Sequence, residues 1–137
     1  MVERDEFDKK GIRNVLNFGH TIGHALELSA DYALTHGEAI AIGMIAATRL
    51  ARALGVCDES FASRLRALID RAGLPAHFSN QPGLSDRIHA AMRMDKKFRD
   101  GKNLFVLPTG IGAWRQVENI AQPLIDDAVT AALGSEA

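Results

Sequence analysis

Residues 13–27 read RNVLNFGHTIGHALE, and the fold turns on how this stretch is read. On a helix of about 100° per residue, with Arg13 at zero, Asn17, His20, His24 and Glu27 fall at roughly +40°, −20°, +20° and −40°. Val15, Phe18, Ile22, Ala25 and Leu26 fall within roughly 60° of the opposite pole, an apolar seam of the kind a core-facing helix carries. One face is therefore greasy and the other chemically loaded. An ordinary wet face would be rich in Lys and Glu, whereas this stripe offers two imidazoles, an amide, a guanidinium and one carboxylate. Gly19 and Gly23 beside it would let another backbone come close, at a propensity cost of about 1 kcal/mol each. Histidines four apart on a helix can share a metal, or divide into one ligand and one proton carrier. The residues alone leave both possibilities open, with Glu27 a third donor in the first of them.

Outward from this stretch, residues 1–10 are dominated by charge and Gly11 interrupts them before the helix begins. The helix is expected to end near Ala30, with Asp31 to Leu34 as a loop. Thr35-His36-Gly37-Glu38 has the form of a capping box, in which the Thr35 hydroxyl and the Glu38 carboxylate each satisfy a free backbone N–H. The helix it starts is apolar almost all round from Ala39 to Leu54, the composition of a central post buried among other helices. His36 sits in its first turn and becomes a candidate ligand through the histidine pair just upstream.

Farther along, Asp58 is placed to cap a third helix carrying Phe61, Leu65, Leu68 and Ile69, which Gly73-Leu74-Pro75 ends. Ser85 is placed to cap a fourth, running through Ile88, Ala91 and Met92 into Met94-Asp95-Lys96-Lys97. His77 reads as a surface residue and His89 as a structural one. Asn103 to Leu107 and Trp114 to Val117 read as two short strands of a hairpin, joined by a turn at Gly110-Ile111-Gly112. Pro123 suits the first turn of a last helix, Leu124 to Leu133. The fold class is mainly α, a multi-helix bundle with a small β-hairpin near residues 103–117, and the 137 residues form a single domain.

Composition excludes several functions. Sixteen basic and seventeen acidic side chains give a net charge of −1, with no basic field for nucleic acid or an anionic membrane. MVERDEFDKKG is charged from its third residue, so no signal peptide is expected, and the most apolar run, Ala39 to Ala47, is too short to span a bilayer. Cys57 is the only cysteine. A reducing, cytoplasmic setting follows most simply.

RNVLNFGHTIGHALE, then THGEAIAIGM, GLP, MDKK and FVLPTGIG together resemble the C-terminal helical domain of the 3-dehydroquinate synthase family, within the sugar-phosphate cyclase superfamily. The resemblance implies conversion of 3-deoxy-D-arabino-heptulosonate 7-phosphate to 3-dehydroquinate and phosphate, a carbon–oxygen lyase step of the shikimate pathway and so of aromatic amino acid biosynthesis. It implies NAD and a divalent metal, Zn2+ or Co2+, and a homodimer. Residue by residue, His20 and His36 correspond to metal ligands, with a third ligand from the family's N-terminal half. His24 corresponds to an acid/base residue, Arg13 and Asn17 to substrate-binding residues, and Lys96 or Lys97 to the group that pairs with a substrate anion. Three protein ligands leave such an ion open to substrate oxygens.

Two departures stand out. The family has an acidic residue a turn before the arginine where this chain has Lys9, the nearest acid being Asp8. The nucleotide-binding N-terminal half is absent, so the chain alone is expected to bind neither NAD nor metal well and to be inactive until that half is supplied in cis or in trans. A related cyclase making deoxy-inosose or valiolone skeletons is the nearest alternative, and Asn17 with the lysine pair favours the dehydroquinate enzyme. The other alternative is a non-catalytic fragment serving assembly, whose exposed apolar surface would favour self-association.

Overall fold

The computed structural model describes residues 18–31, 33–94 and 104–134. Their order is α1 (His20–Ser29), α2 (His36–Ala53), α3 (Glu59–Arg71), α4 (Leu84–Arg93), β1 (Leu104–Gly110), β2 (Ala113–Glu118) and α5 (Gln122–Ala132). The architecture is mainly α with one antiparallel hairpin, as the residue pattern implied.

Helix α2 is the centre. It packs against α1, α3, α5 and β1, and buries Ala39, Ala41, Ile42 and Ala51, which are spread around its circumference. Its start is the expected capping box: the Glu38 N–H donates to Thr35 Oγ1 at 3.1 Å, and the Thr35 N–H donates to Glu38 Oε1 at 2.9 Å. These bonds satisfy two of the free donors at the helix end and fix where His36, the first residue of α2, leaves the loop. Leu26 of α1, Leu84 and Ile88 of α4, Phe105 and Leu107 of β1, and Ile125 and Val129 of α5 close the core around α2.

Helix α1 is shorter than its hydrophobic periodicity suggests. It does not continue back to Arg13, because Gly19 at φ 81° is left-handed and forms the N-cap. That conformation suits glycine and sets the start of α1 at His20; Arg13 and Asn17 lie outside the described residues. The reason for glycine here is close approach. A Cβ on Gly19 would lie 2.7 Å from Met44 Cγ and 2.9 Å from the Ile40 carbonyl oxygen, and one on Gly43 would lie 2.7 Å from the Gly23 nitrogen and directly against the Gly19 carbonyl. The α1 and α2 backbones therefore touch where Gly19, Gly23 and Gly43 meet.

Other boundaries shift for similar reasons. Gly83, at φ 77°, precedes α4 in place of a Ser85 cap, and Leu84 is wholly buried as its first residue. Helix α4 ends at Arg93, so a continuation into Lys96 and Lys97 lies outside the described residues. Asp58 does cap α3, accepting the Phe61 N–H at 3.0 Å, but α3 buries only Ile69 fully and leaves Leu68 63 % exposed. It rides on the outside of the bundle. Strand β1 continues through Pro108, which pairs with Trp114, with an irregularity before Gly110. A two-stranded sheet tolerates the proline, since its missing N–H can face away from the partner strand. The Gly110-Ile111-Gly112 segment makes the turn, with Gly112 at φ 74°.

Candidate functional site

The glycine contact between α1 and α2 brings the first residue of each helix together. The His20 and His36 ring centroids are 5.6 Å apart, with planes at 61°. A zinc–nitrogen bond of about 2.05 Å plus about 1.1 Å to the ring centre places each centroid about 3.2 Å from a shared ion, so tetrahedral ligands have centroids about 5.2 Å apart. The observed span matches that of two imidazoles serving one metal.

Hydrogen bonding defines which nitrogens are available. His20 Nδ1–H donates to the Phe18 carbonyl at 3.3 Å, and His36 Nδ1–H donates to Glu27 Oε1 at 2.9 Å. Both acceptors lack a proton to give, so each bond requires a proton on Nδ1, and in the neutral ring the lone pair is then on Nε2. The two rings thus present the donor atom a metal would use. His24 stands one turn along α1, half-exposed, with Nδ1 3.8 Å from the same Glu27 oxygen. Glu27 is the covered member of the group at 15 % exposure, against 51 % for His24 and 59 % for His36.

Among the described residues no three His, Cys, Asp or Glu side chains form a metal-binding group. The pair His20 and His36 therefore needs a further donor, and His20, His24 and Glu27 do not gather into a metal-binding group either. This removes the all-α1 metal site that residue types alone left open. Arg13, Asn17, Lys96 and Lys97 lie outside the described residues, as do Asp8 and Lys9.

Two partnerships escaped the sequence reading. Glu27 shares the polar stripe with His24, but its closer partner, His36, lies nine residues on, across the α1–α2 loop. His89 also has a partner, Asp126 of α5, with Nε2 3.4 Å from Oδ1. That contact ties α4 to α5 and fits a structural histidine.

Among known proteins, the family model and the curated relatives agree on one family. A family model described as 3-dehydroquinate synthase C-terminal matches residues 1–98. A 3-dehydroquinate synthase of Dehalococcoides mccartyi is 46 % identical over 124 residues, covering 90 % of this chain and 33 % of the relative. One from a Synechocystis species is 41 % identical over 136 residues, covering 98 % and 36 %. The chain thus spans about a third of the length of the curated relatives it matches. Among solved structures, 2-epi-5-epi-valiolone synthase from Streptomyces hygroscopicus subsp. jinggangensis, with NAD+ and Zn2+ bound, superposes with a TM-score of 0.72 at 30 % identity over 89 % of this chain and 33 % of its own. A 2-deoxy-scyllo-inosose synthase complexed with carbaglucose-6-phosphate, NAD+ and Co2+ gives 0.74 at 26 % identity over 85 % and 34 %.

Proposed function

Since the chain belongs to the 3-dehydroquinate synthase C-terminal family, we propose that its 137 residues are one helical domain supplying the metal- and substrate-binding part of a 3-dehydroquinate synthase. The reaction is the carbon–oxygen lyase conversion of 3-deoxy-D-arabino-heptulosonate 7-phosphate to 3-dehydroquinate and phosphate, in the shikimate pathway. An NAD-binding N-terminal half acts with it, in cis or in trans, and the assembled enzyme is a cytoplasmic homodimer. Among the described residues no helix is long and apolar enough to cross a membrane.

The observation that carries this reading is the 5.6 Å pairing of His20 with His36, each with Nδ1 committed to an oxygen. These two residues would hold the divalent ion, with one ligand from the N-terminal half. Such an ion supplies Lewis-acid polarisation of substrate oxygens. His24 is half-exposed beside the pair and moves a proton to or from the substrate. Arg13 and Asn17 orient the substrate, Arg13 being able to grip a carboxylate or phosphate bidentately, and a lysine of the Lys96-Lys97 pair meets an anionic group. The dehydroquinate reaction is preferred over those of the valiolone and inosose enzymes because identity to the curated synthases is 41–46 %, against 26–30 % for those two.

The test is complementation. The chain, mixed with the remaining two thirds of the Dehalococcoides mccartyi relative, NAD and zinc, should release phosphate from the seven-carbon substrate. His20→Ala should abolish that release. A complex that forms yet binds neither zinc nor NAD would favour the non-catalytic fragment, and turnover of a hexose phosphate analogue's parent sugar in its place would favour the inosose-type cyclase.

A further inference from the structure

We propose that Glu27 is a positioning residue for the metal site: it holds the His36 ring in the Nδ1–H tautomer so that Nε2 is free to bind a divalent cation. The proposal rests on the reading of His20 and His36 as metal ligands, and adds a residue that the family motif does not place there. Its basis is geometric. Glu27 Oε1 lies 2.9 Å from His36 Nδ1, and the Glu27 side chain is only 15 % exposed, so the carboxylate is the covered partner and the ring the exposed one. Free imidazole is not confined to this tautomer, and a ring that is 59 % exposed on the first turn of a helix would otherwise rotate in solvent.

His20 shows why only one of the two histidines needs a carboxylate. Its Nδ1–H is taken by the Phe18 carbonyl, a backbone group fixed by the turn into α1. Among the described residues His36 makes no such contact within its own turn, where Thr35 and Glu38 are spent on each other. Glu27 reaches it from the last turns of α1, across the loop. Metal-bound histidines ordinarily donate their second N–H in this manner, which fixes the ring and strengthens the donor nitrogen. The same Glu27 oxygen lies 3.8 Å from His24 Nδ1, so one carboxylate borders both the ligand and the proton carrier.

The experiment has two readouts. In the full chain, long-range 15N NMR of the imidazoles reports which nitrogen of His36 carries the proton. The wild type should show Nδ1–H, Glu27→Ala should shift His36 toward Nε2–H, and Glu27→Gln, whose carbonyl still accepts, should retain Nδ1–H. In the complemented protein, zinc competition against a chromophoric chelator should show affinity about 10–100-fold weaker for Glu27→Ala and a smaller loss for Glu27→Gln. A purely structural Glu27 would lower the melting temperature without moving the tautomer. An unchanged His36 tautomer in Glu27→Ala, or zinc affinity equal to wild type while His36→Ala loses it, overturns the proposal. Zinc affinity unaffected by His36→Ala instead overturns the metal reading beneath it.

Discussion

Two glycines of α2 should respond differently to the same substitution, one losing stability and the other not. A Cβ on Gly43 would meet the Gly19 carbonyl, the Gly23 nitrogen at 2.7 Å and the Gly23 Cα at 2.8 Å, all of them backbone atoms of the α1 segment. No side chain can rotate away to relieve this, so the two helices must part. Overpacking of a tight interior costs about 1–3 kcal/mol, and rigid backbone neighbours put Gly43→Ala near the top of that range. The gain from replacing a helical glycine, about 0.5–1 kcal/mol, offsets part of it and leaves a net loss of about 2 kcal/mol. For a domain of this size, at about 3–5 °C per kcal/mol, the melting temperature should fall by about 6–10 °C. Gly37 has nothing within 4 Å of its would-be Cβ. Gly37→Ala should therefore be neutral or raise the melting temperature by about 2 °C, through the propensity term alone. Circular dichroism melts of both variants, with urea titrations as a check, decide the matter. Gly43→Ala melting at or above the wild type would refute the close backbone contact on which the placement of His20 beside His36 depends.

Three further outcomes follow from single contacts. Thr35→Ala removes the side-chain half of the capping box and should cost about 1 kcal/mol in urea unfolding, with Thr35→Ser close to wild type. The Arg49 guanidinium, hydrogen-bonded to Asp127 at 2.7 Å, holds that carboxylate below its usual range, so its stabilisation is present above the unfolded-state value and disappears as pH falls through the lowered one. Both side chains are half-exposed, so Asp127→Asn should cost only about 0.2–1 kcal/mol at neutral pH, less in high salt and nothing at acid pH, as urea titrations across pH would show. Burial, and then the Asp58 charge, push the Cys57 thiol up, so iodoacetamide should alkylate it more slowly at neutral pH than in the urea-unfolded chain; equal rates would contradict that environment.

Much of this arrangement is legible in the residues. The capping box of α2 and its all-round apolar surface announce a buried central helix, and GHTIGHALE followed by THGEA places imidazoles on two successive helix starts. That α1 starts only at His20 is not legible from periodicity, because Phe18, Ile22 and Leu26 keep helical spacing across Gly19. What favours glycine at that start is a tertiary demand, the approach of Gly43, that no local pattern encodes. Glu27 is obscured for a related reason. On the wheel it neighbours His24, yet the contact between α1 and α2 delivers His36 to it at shorter range. Helix α3 shows the opposite failure: Leu65 and Leu68 have core spacing, but α3 sits at the edge of the bundle, where only Ile69 is fully covered.

The central claim is that His20 and His36 serve one ion. X-ray absorption at the zinc edge of the complemented, zinc-loaded protein counts the imidazoles directly. Two should be present, falling to one in His20→Ala and to one in His36→Ala, with His24→Ala unchanged. An imidazole count unaltered in either of the first two variants, or reduced in the third, would contradict the account.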